Sequence, residues 1–316
     1  MKKYKILLSS KSRNYLVTIG IGKEYYNRWH KYAYPSWKEY CLNKKIGLMV
    51  ICDDLIEKSD PKWKKATWQK MLIGQLIIKE KLPIDNVCYI DTDFLINPNA
   101  PNIFKEIQKN KISVVSVTKR IPYDLNLIRR KISFNRNVYI DKNYPLDSAL
   151  FMNEKQYYAF HGFKEQKDIA NMGLIGFNVK NNWKRMLKWF NKYDRKTFGL
   201  TGDGDNPYIS YEMLKYGKLK WLDYKYQVSW TYEMAFKYSF LYKQMNNKKL
   251  VNECILNSLQ DAYFMHFAGT WNESDLWFYT KSKLSKKDLK LNKKYFGYLN
   301  KKVFGKPVGR IKPKKN

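Results

Sequence analysis

Tyr89-Ile-Asp-Thr-Asp-Phe-Leu-Ile96 places two carboxylates, one residue apart, at the end of an apolar run, and the fold is read outward from it. The run leading in, Asn86-Val-Cys-Tyr-Ile90, is short and almost continuously apolar, the pattern of a strand buried on both faces. Tyr15-Leu-Val-Thr-Ile-Gly-Ile21, Ile46-Gly-Leu-Met-Val-Ile-Cys52 and Ile112-Ser-Val-Val-Ser-Val117 share that character. Between the second and third runs in the chain, Trp68, Met71, Leu72, Gln75, Leu76 and Ile77 recur at three- and four-residue spacing. That spacing predicts a helix with one stripe against a sheet. The alternation predicts an α/β fold: a Rossmann-type, mostly parallel sheet flanked by helices, its site at the carboxyl ends of the strands.

Farther along, residues 120–144 are basic, aromatic and weakly periodic, and they read as a lid or binding loop without regular structure, suited to acceptor recognition. A helical stretch is expected around Ser148 to Phe160, then the apolar run Met172-Gly-Leu-Ile-Gly-Phe177, then an amphipathic segment near Trp183 to Phe190. Pro207 suits the first turn of another helix, where its missing N–H costs little. Two short strands follow near Leu219 to Trp230. From Lys281 onward there are 14 Lys or Arg and a single acid, Asp288. The division expected is a catalytic domain over 1–280 and a basic, partly helical and partly disordered extension over 281–316.

With 26 Tyr, 16 Phe and 10 Trp among 316 residues, the chain has the apolar area for a large core. Its formal charge of +32 points to an anionic partner, whether phosphorylated small molecules, an acidic membrane surface or nucleic acid. Cys41, Cys52, Cys88 and Cys254 have no metal-knuckle or disulfide spacing, so a reducing, cytoplasmic setting is expected. Neither a membrane span nor a secretory leader is read, which leaves peripheral association of the basic carboxyl-terminal residues with an anionic membrane.

Asp91 and Asp93 carry the chemistry. In extended backbone, positions two apart point the same way, so both carboxylates converge on one hard cation of the kind that bridges phosphates. An isolated Asp-x-Asp also ends strands and caps turns; its place at the carboxyl edge of a third strand is what favours a ligand. His266 stands in the apolar run Tyr263-Phe-Met-His-Phe267, where a neutral imidazole completes a metal site or rests as a satisfied core side chain. His30 and His161 read as structural.

At these residues the sequence resembles the GT-A glycosyltransferases, whose D-x-D follows a hydrophobic strand. Asn171-Met-Gly-Leu-Ile-Gly-Phe-Asn178 is similar to their Asn-x-Gly strand segment, Gly202-Asp-Gly-Asp205 to the acidic loop beside the acceptor, and Met265-His-Phe-Ala-Gly269 to their late His-x-x-Gly. The resemblance spans about residues 14 to 271 and departs at Gly204, where many relatives carry Gln, and after Gly269, where no Lys-Pro-Trp follows. It implies Mn²⁺ or Mg²⁺ held by Asp91, Asp93 and His266, with a nucleoside-diphosphate sugar, UDP expected, as donor. Thr18, Gly20, Asp53, Lys70, Asp91, Gly173 and Gly269 would meet that donor. Asp203, Asp205 and Asn171 would serve the acceptor and the transfer. The acceptor would be a glycan, a lipid-linked sugar or a protein hydroxyl.

Two other classes compete. Haloacid-dehalogenase-type phosphatases also carry D-x-D, but on the first strand and with Thr or Val where this chain has Leu95. A nucleic-acid-binding protein would suit the charge and the aromatic content, yet no helix-turn-helix, RNP or zinc-finger pattern is present, so no specific nucleic acid is expected.

Overall fold

The computed structural model describes residues 2–139, 152–194, 204–244 and 246–268, with side chains through 132 in the first of these stretches. Ten strands are described: β1 Tyr4–Leu8, β2 Asn14–Ile19, β3 Gly47–Ile51, β4 Asn86–Ile90, β5 Phe94–Ile96, β6 Ile112–Ser116, β7 Ala170–Asn178, β8 Leu219–Trp221, β9 Val228–Ser229 and β10 Phe264–His266. The described helices are α1 Lys23–Tyr32, α2 Tyr34–Lys44, α3 Ala66–Gln69, α4 Ile73–Lys79, α5 Leu125–Tyr139, α6 Glu154–Phe160, α7 Val179–Lys192, α8 Asn206–Tyr216, α9 Trp230–Lys237 and α10 Lys248–Asp261. None of these helices is long and apolar enough to cross a membrane.

Seven strands form the main sheet in the order β1-β3-β2-β4-β7-β6-β8, and β5-β10-β9 form a second, small sheet. Strands β3, β2, β4, β6 and β8 run one way, whereas β1 and β7 run against their neighbours. The α/β architecture is as expected, with five of the seven strands running one way; what the sequence reading did not assign is that β1 lies reversed at the edge and β7 inserts reversed between β4 and β6. A strand buried on both faces is apolar whichever way it runs, so its residues carry no sign of direction.

Both faces of the main sheet are covered. Leu16, Leu48, Val50, Cys88, Ile90, Val115 and Leu174 pack on one side with Trp29, Trp37 and Tyr40 of α1 and α2. Val17, Met49, Ile51, Val87, Tyr89, Ile175 and Phe177 pack on the other with Trp68, Met71, Ile73, Ile77, Met186 and Met213. Successive residues alternate between the two layers, as a pleated strand requires. Each side chain so buried contributes roughly 1.5–3 kcal/mol relative to leaving it in water. The Trp37 indole N–H donates to the Phe94 carbonyl at 2.8 Å, which fixes α2 to β5 and holds the small sheet beside the main one.

The helix read from Trp68 to Ile77 is a composite: α3, a 3-10 turn over Lys70–Leu72, and α4. Gln75 is exposed and Gly74 takes the buried place instead. A Cβ on Gly74 would stand 2.7 Å from that of Trp183 on α7, so the two helices meet because this residue has no side chain. Gly74→Val is expected to lower stability by about 1–3 kcal/mol through overpacking, seen as a lower urea midpoint at unchanged slope.

Residues 120–144 are not a loop throughout. Leu125–Tyr139 is a helix, and Ile128 and Ile132, four residues apart, enter the core. The basic residues between them masked that two-point stripe. Helix α6 begins at Glu154 under an Asn153 capping box. Pro207 stands in the first turn of α8, and β8 and β9 are the two short strands expected. Tyr4–Leu8 adds an edge strand that the sequence reading did not assign. All four cysteines are free thiols. Residues 281–316 lie outside the described residues.

Candidate active site

Strand β4 delivers Asp91 and β5 begins just after Asp93, so the two acids occupy the turn where the chain leaves the main sheet for the small one. The Asp91 N–H donates to the Gly173 carbonyl at 2.9 Å, which extends the β4–β7 pairing to the acid itself. Strand β10 pairs antiparallel with β5 so that His266 lies opposite Phe94. The Phe267 N–H donates to the Asp93 carbonyl at 3.0 Å. The convergence expected of the two carboxylates is present, though a turn and a cross-strand partner produce it rather than extended pleating.

His266 Nε2 stands 3.3 Å from Asp93 Oδ1 and 3.9 Å from Asp91 Oδ2. One ligand atom from each of Asp91, Asp93 and His266 falls within 4.8 Å of the others. The imidazole is nearly parallel to the Phe94 ring at 4.2 Å, and its other edge meets bare backbone: a Cβ on Gly173 would lie 2.4 Å from His266 Cε1. Gln227 Nε2 is 3.1 Å from Nδ1.

These residues fit a divalent cation. Two carboxylates and an imidazole form a donor set suited to Mn²⁺ or Mg²⁺. Asp93 Oδ1 is buried, makes no hydrogen bond among the described residues and has the His266 Nε2 beside it at 3.3 Å; a carboxylate so placed costs free energy unless a positive charge meets it.

Lys70 lies on the opposite side of Asp91. It is 1% exposed, donates to the Met172 carbonyl at 2.7 Å, and stands 3.2 Å from Asp205 Oδ2 and 3.6 Å from Asp91 Oδ1. Burial works against its charge, but Asp205 and then Asp91 outweigh burial and hold its pKa above the ordinary lysine value. Burial raises the Asp205 carboxyl; Lys70 opposes that, Asp91 adds to it, and the balance is about 6. The Tyr89 hydroxyl, held well above its usual range by burial and then by Asp91, stays protonated and donates to Asp91 Oδ1.

The two acids divide two cavities. One, of about 250 Å³, is lined by Lys70, Asn171, Gly173, Asp205, Gln227 and His266 among others, together with both acids. The second, of about 420 Å³, is bounded by Ile19, Ile21, Tyr25, Lys65, Thr67 and Tyr89, again with both acids. Asn171 is half-buried on the first, its side-chain oxygen accepting from the Gly173 N–H at 2.8 Å.

Of the residues expected around the nucleotide, Thr18, Gly20 and Asp53 line neither cavity. Thr18 is fully buried on the face of β2 opposite Ile19. The Gly20 N–H is used by the Ile51 carbonyl at 2.8 Å. Asp53 caps the Asp54 N–H, and Asp54 in turn takes the Trp63 indole and the Gln69 amide. Ile19 and Ile21 come to the cavity instead. Asp203 and Gly269 lie outside the described residues.

Gln227, Tyr89 and Asn206 were not singled out from sequence. Asn206 adjoins Asp205 and accepts from the Met172 N–H at 2.9 Å. The apolar run containing Tyr89 hides its hydroxyl, and Gln227 has no local signature. His30 is stacked between Tyr26 and Tyr34, and His161 packs against Tyr157 and Phe160; neither lines the two cavities beside the acids.

No protein-family profile and no curated relative matches the chain. Among solved structures it is similar to a glycosyltransferase involved in the glycosylation of the major capsid of PBCV-1, at 12% identity over 83% of this chain and 97% of that one, TM-score 0.42. It is also similar to the galactosyltransferase LgtC in complex with donor and acceptor sugar analogs, at 12% identity over 86% and 98%, TM-score 0.44. A third is the WbbM bifunctional glycosyltransferase, at 13% identity over 88% of this chain and 49% of that one, TM-score 0.44. The likeness is to glycosyltransferases. It is a likeness of fold, and the chemistry is carried by the site's own residues.

Proposed function

We propose that the chain is a glycosyltransferase that takes a sugar from a nucleoside diphosphate, UDP by expectation, and passes it to a hydroxyl of a glycan, lipid-linked or protein acceptor. The observation that carries this is the placement of Asp91 and Asp93 on the wall shared by two cavities, with His266 beside them on the smaller one. A diphosphate on that wall would direct its nucleoside to one cavity and its sugar to the other. The larger cavity offers Ile19, Ile21, Tyr25 and Tyr89 for a base to pack against, and the smaller has the carboxylates and amides that bind sugar hydroxyls.

Asp91, Asp93 and His266 would hold Mn²⁺ or Mg²⁺, which when bound neutralises charge that develops on a departing diphosphate. Lys70, kept cationic by Asp205 and Asp91, supplies a fixed positive charge on the sugar side of the wall. Asp205, through Lys70, fixes where that charge lies. Asn171 and Asp205 border the smaller cavity, where an acceptor hydroxyl must be oriented and its proton received; a carboxyl raised to about 6 is a stronger base than an exposed one.

Titration of the protein with UDP and with GDP, in Mn²⁺ and then in excess chelator, tests the proposal. Binding to at least one nucleotide, dependent on the cation and lost in Asp93→Ala, is the expected result. Absence of binding under every condition would remove it.

A further inference from the structure

Gln227 meets His266 on the side away from the carboxylates. It ends the 3-10 turn Tyr224–Gln227, directly before β9, whose residues pair with Met265 and His266 of β10. The side chain is 2% exposed. Its amide nitrogen lies 3.1 Å from His266 Nδ1, while its carbonyl oxygen is buried with no hydrogen-bond partner among the described residues. The same missing Cβ at Gly173 that admits the imidazole admits this amide, since a carbon there would lie 2.8 Å from Gln227 Nε2.

A primary amide has two settings related by a half-turn about its last bond, similar in shape and opposite in hydrogen bonding. With its nitrogen toward the ring it donates, so Nδ1 must be the bare nitrogen and the proton rests on Nε2, facing Asp93 Oδ1 at 3.3 Å. With its oxygen toward the ring it accepts from Nδ1–H, and Nε2 offers a lone pair on the carboxylate side. The hydrogen bond at one ring nitrogen decides what the other can do.

We infer that Gln227 is a positioning residue that selects the tautomer of His266. Its amide nitrogen faces Nδ1 in the cation-free protein, and its carbonyl faces Nδ1 when a cation is held by Asp91, Asp93 and Nε2. One proton leaves Nε2 for solvent and one joins Nδ1, so the ring is neutral in both settings. The unpartnered carbonyl is the group that gains a hydrogen bond on turning. This inference rests on His266 being a cation ligand, and its tests separate the two ideas.

The first test uses the full chain labelled with ¹⁵N-histidine, in which the ring signals of only three histidines appear. Long-range ¹H–¹⁵N spectra without and with Mg²⁺ are expected to show His266 changing from the Nε2–H to the Nδ1–H form. The same tautomer in both states overturns the inference. The second test measures Mn²⁺ affinity of Gln227→Met, which keeps the length and removes the amide, and of Gln227→Glu, which can only accept. Met is expected to weaken binding 10- to 100-fold, and Glu to bind at least as well as the parent. Parent-like affinity in the Met variant overturns the inference while leaving the cation site standing. Failure of the parent to bind Mn²⁺ overturns both. Should Gln227→Met not fold, the tautomer measurement on the unaltered chain decides.

Discussion

Gly173→Ala is expected to weaken Mn²⁺ binding by about 10- to 100-fold, the range found when the surroundings of a metal ligand are disturbed. The added carbon would stand 2.4 Å from His266 Cε1, 2.8 Å from Gln227 Nε2 and 3.0 Å from His266 Nδ1. The ring lies against Phe94 at 4.2 Å, and Gln227 is buried. Backbone cannot yield easily either, because the Gly173 carbonyl accepts from the Asp91 N–H and its N–H donates to Asn171. The ring must therefore tilt away from the carboxylates, or β7 must shift and take Asp91 with it. Either movement separates Asp91, Asp93 and His266, the three residues proposed to hold the cation. Overpacking should also cost about 1–3 kcal/mol of stability. Mn²⁺ titration, with urea unfolding as the control for folding, checks both; a variant of reduced stability that binds Mn²⁺ like the parent would mean the imidazole yields without losing its aim.

What sequence made legible in this protein is what local pattern encodes. Asp91 and Asp93 were readable because a carboxylate pair ending an apolar strand is a local pattern, and His266 because an imidazole inside Tyr263-Phe-Met-His-Phe267 is out of place. The pairing of Phe94 with His266 that brings them together is a contact between residues 172 positions apart, and only a resemblance to proteins of known arrangement suggested it. The resemblance marked Lys70 as a donor contact, although local pattern does not set it apart from the chain's many lysines; its burial follows from the 3-10 turn that joins α3 to α4 and turns Lys70 toward β7. Gln227 was invisible for the same reason, being placed by a turn and a two-residue strand. The reversed direction of β7 was hidden because a strand buried on both faces reads the same either way. Leu125–Tyr139 was misread because two inward isoleucines in a basic stretch are a weak periodic signal.

Lys70→Met should be among the most destabilising single substitutions in the described residues, at about 3–5 kcal/mol near pH 8, because it leaves a buried carboxylate without its partner. Asp205 is 5% exposed and already titrates near 6 with Lys70 opposing the effect of burial. Without that cation its folded-state pKa rises farther above the value of about 3.9 expected in the unfolded chain. The sign follows. Below about pH 4 Asp205 is protonated in both states and the loss is smallest; as pH climbs through the raised folded value, the unfolded state releases its proton first and stability falls. Adding Asp205→Asn removes the group that titrates. The double variant should therefore regain most of the lost stability at pH 8 and lose that part of the pH slope, the coupling expected of two residues in direct contact. Transfer should not return with it. If Lys70 supplies fixed positive charge beside the leaving diphosphate, the double variant stays about 10²- to 10³-fold slow, as when one preorganised donor is removed from other active sites. Urea unfolding at pH 4.5, 6 and 8 and donor hydrolysis on the same three proteins separate the roles. Recovery of stability without recovery of rate, with Asp205→Asn alone measured beside it and faster than the double variant, assigns the charge on Lys70 to the reaction, whereas recovery of both would reduce the lysine to a counter-ion for Asp205.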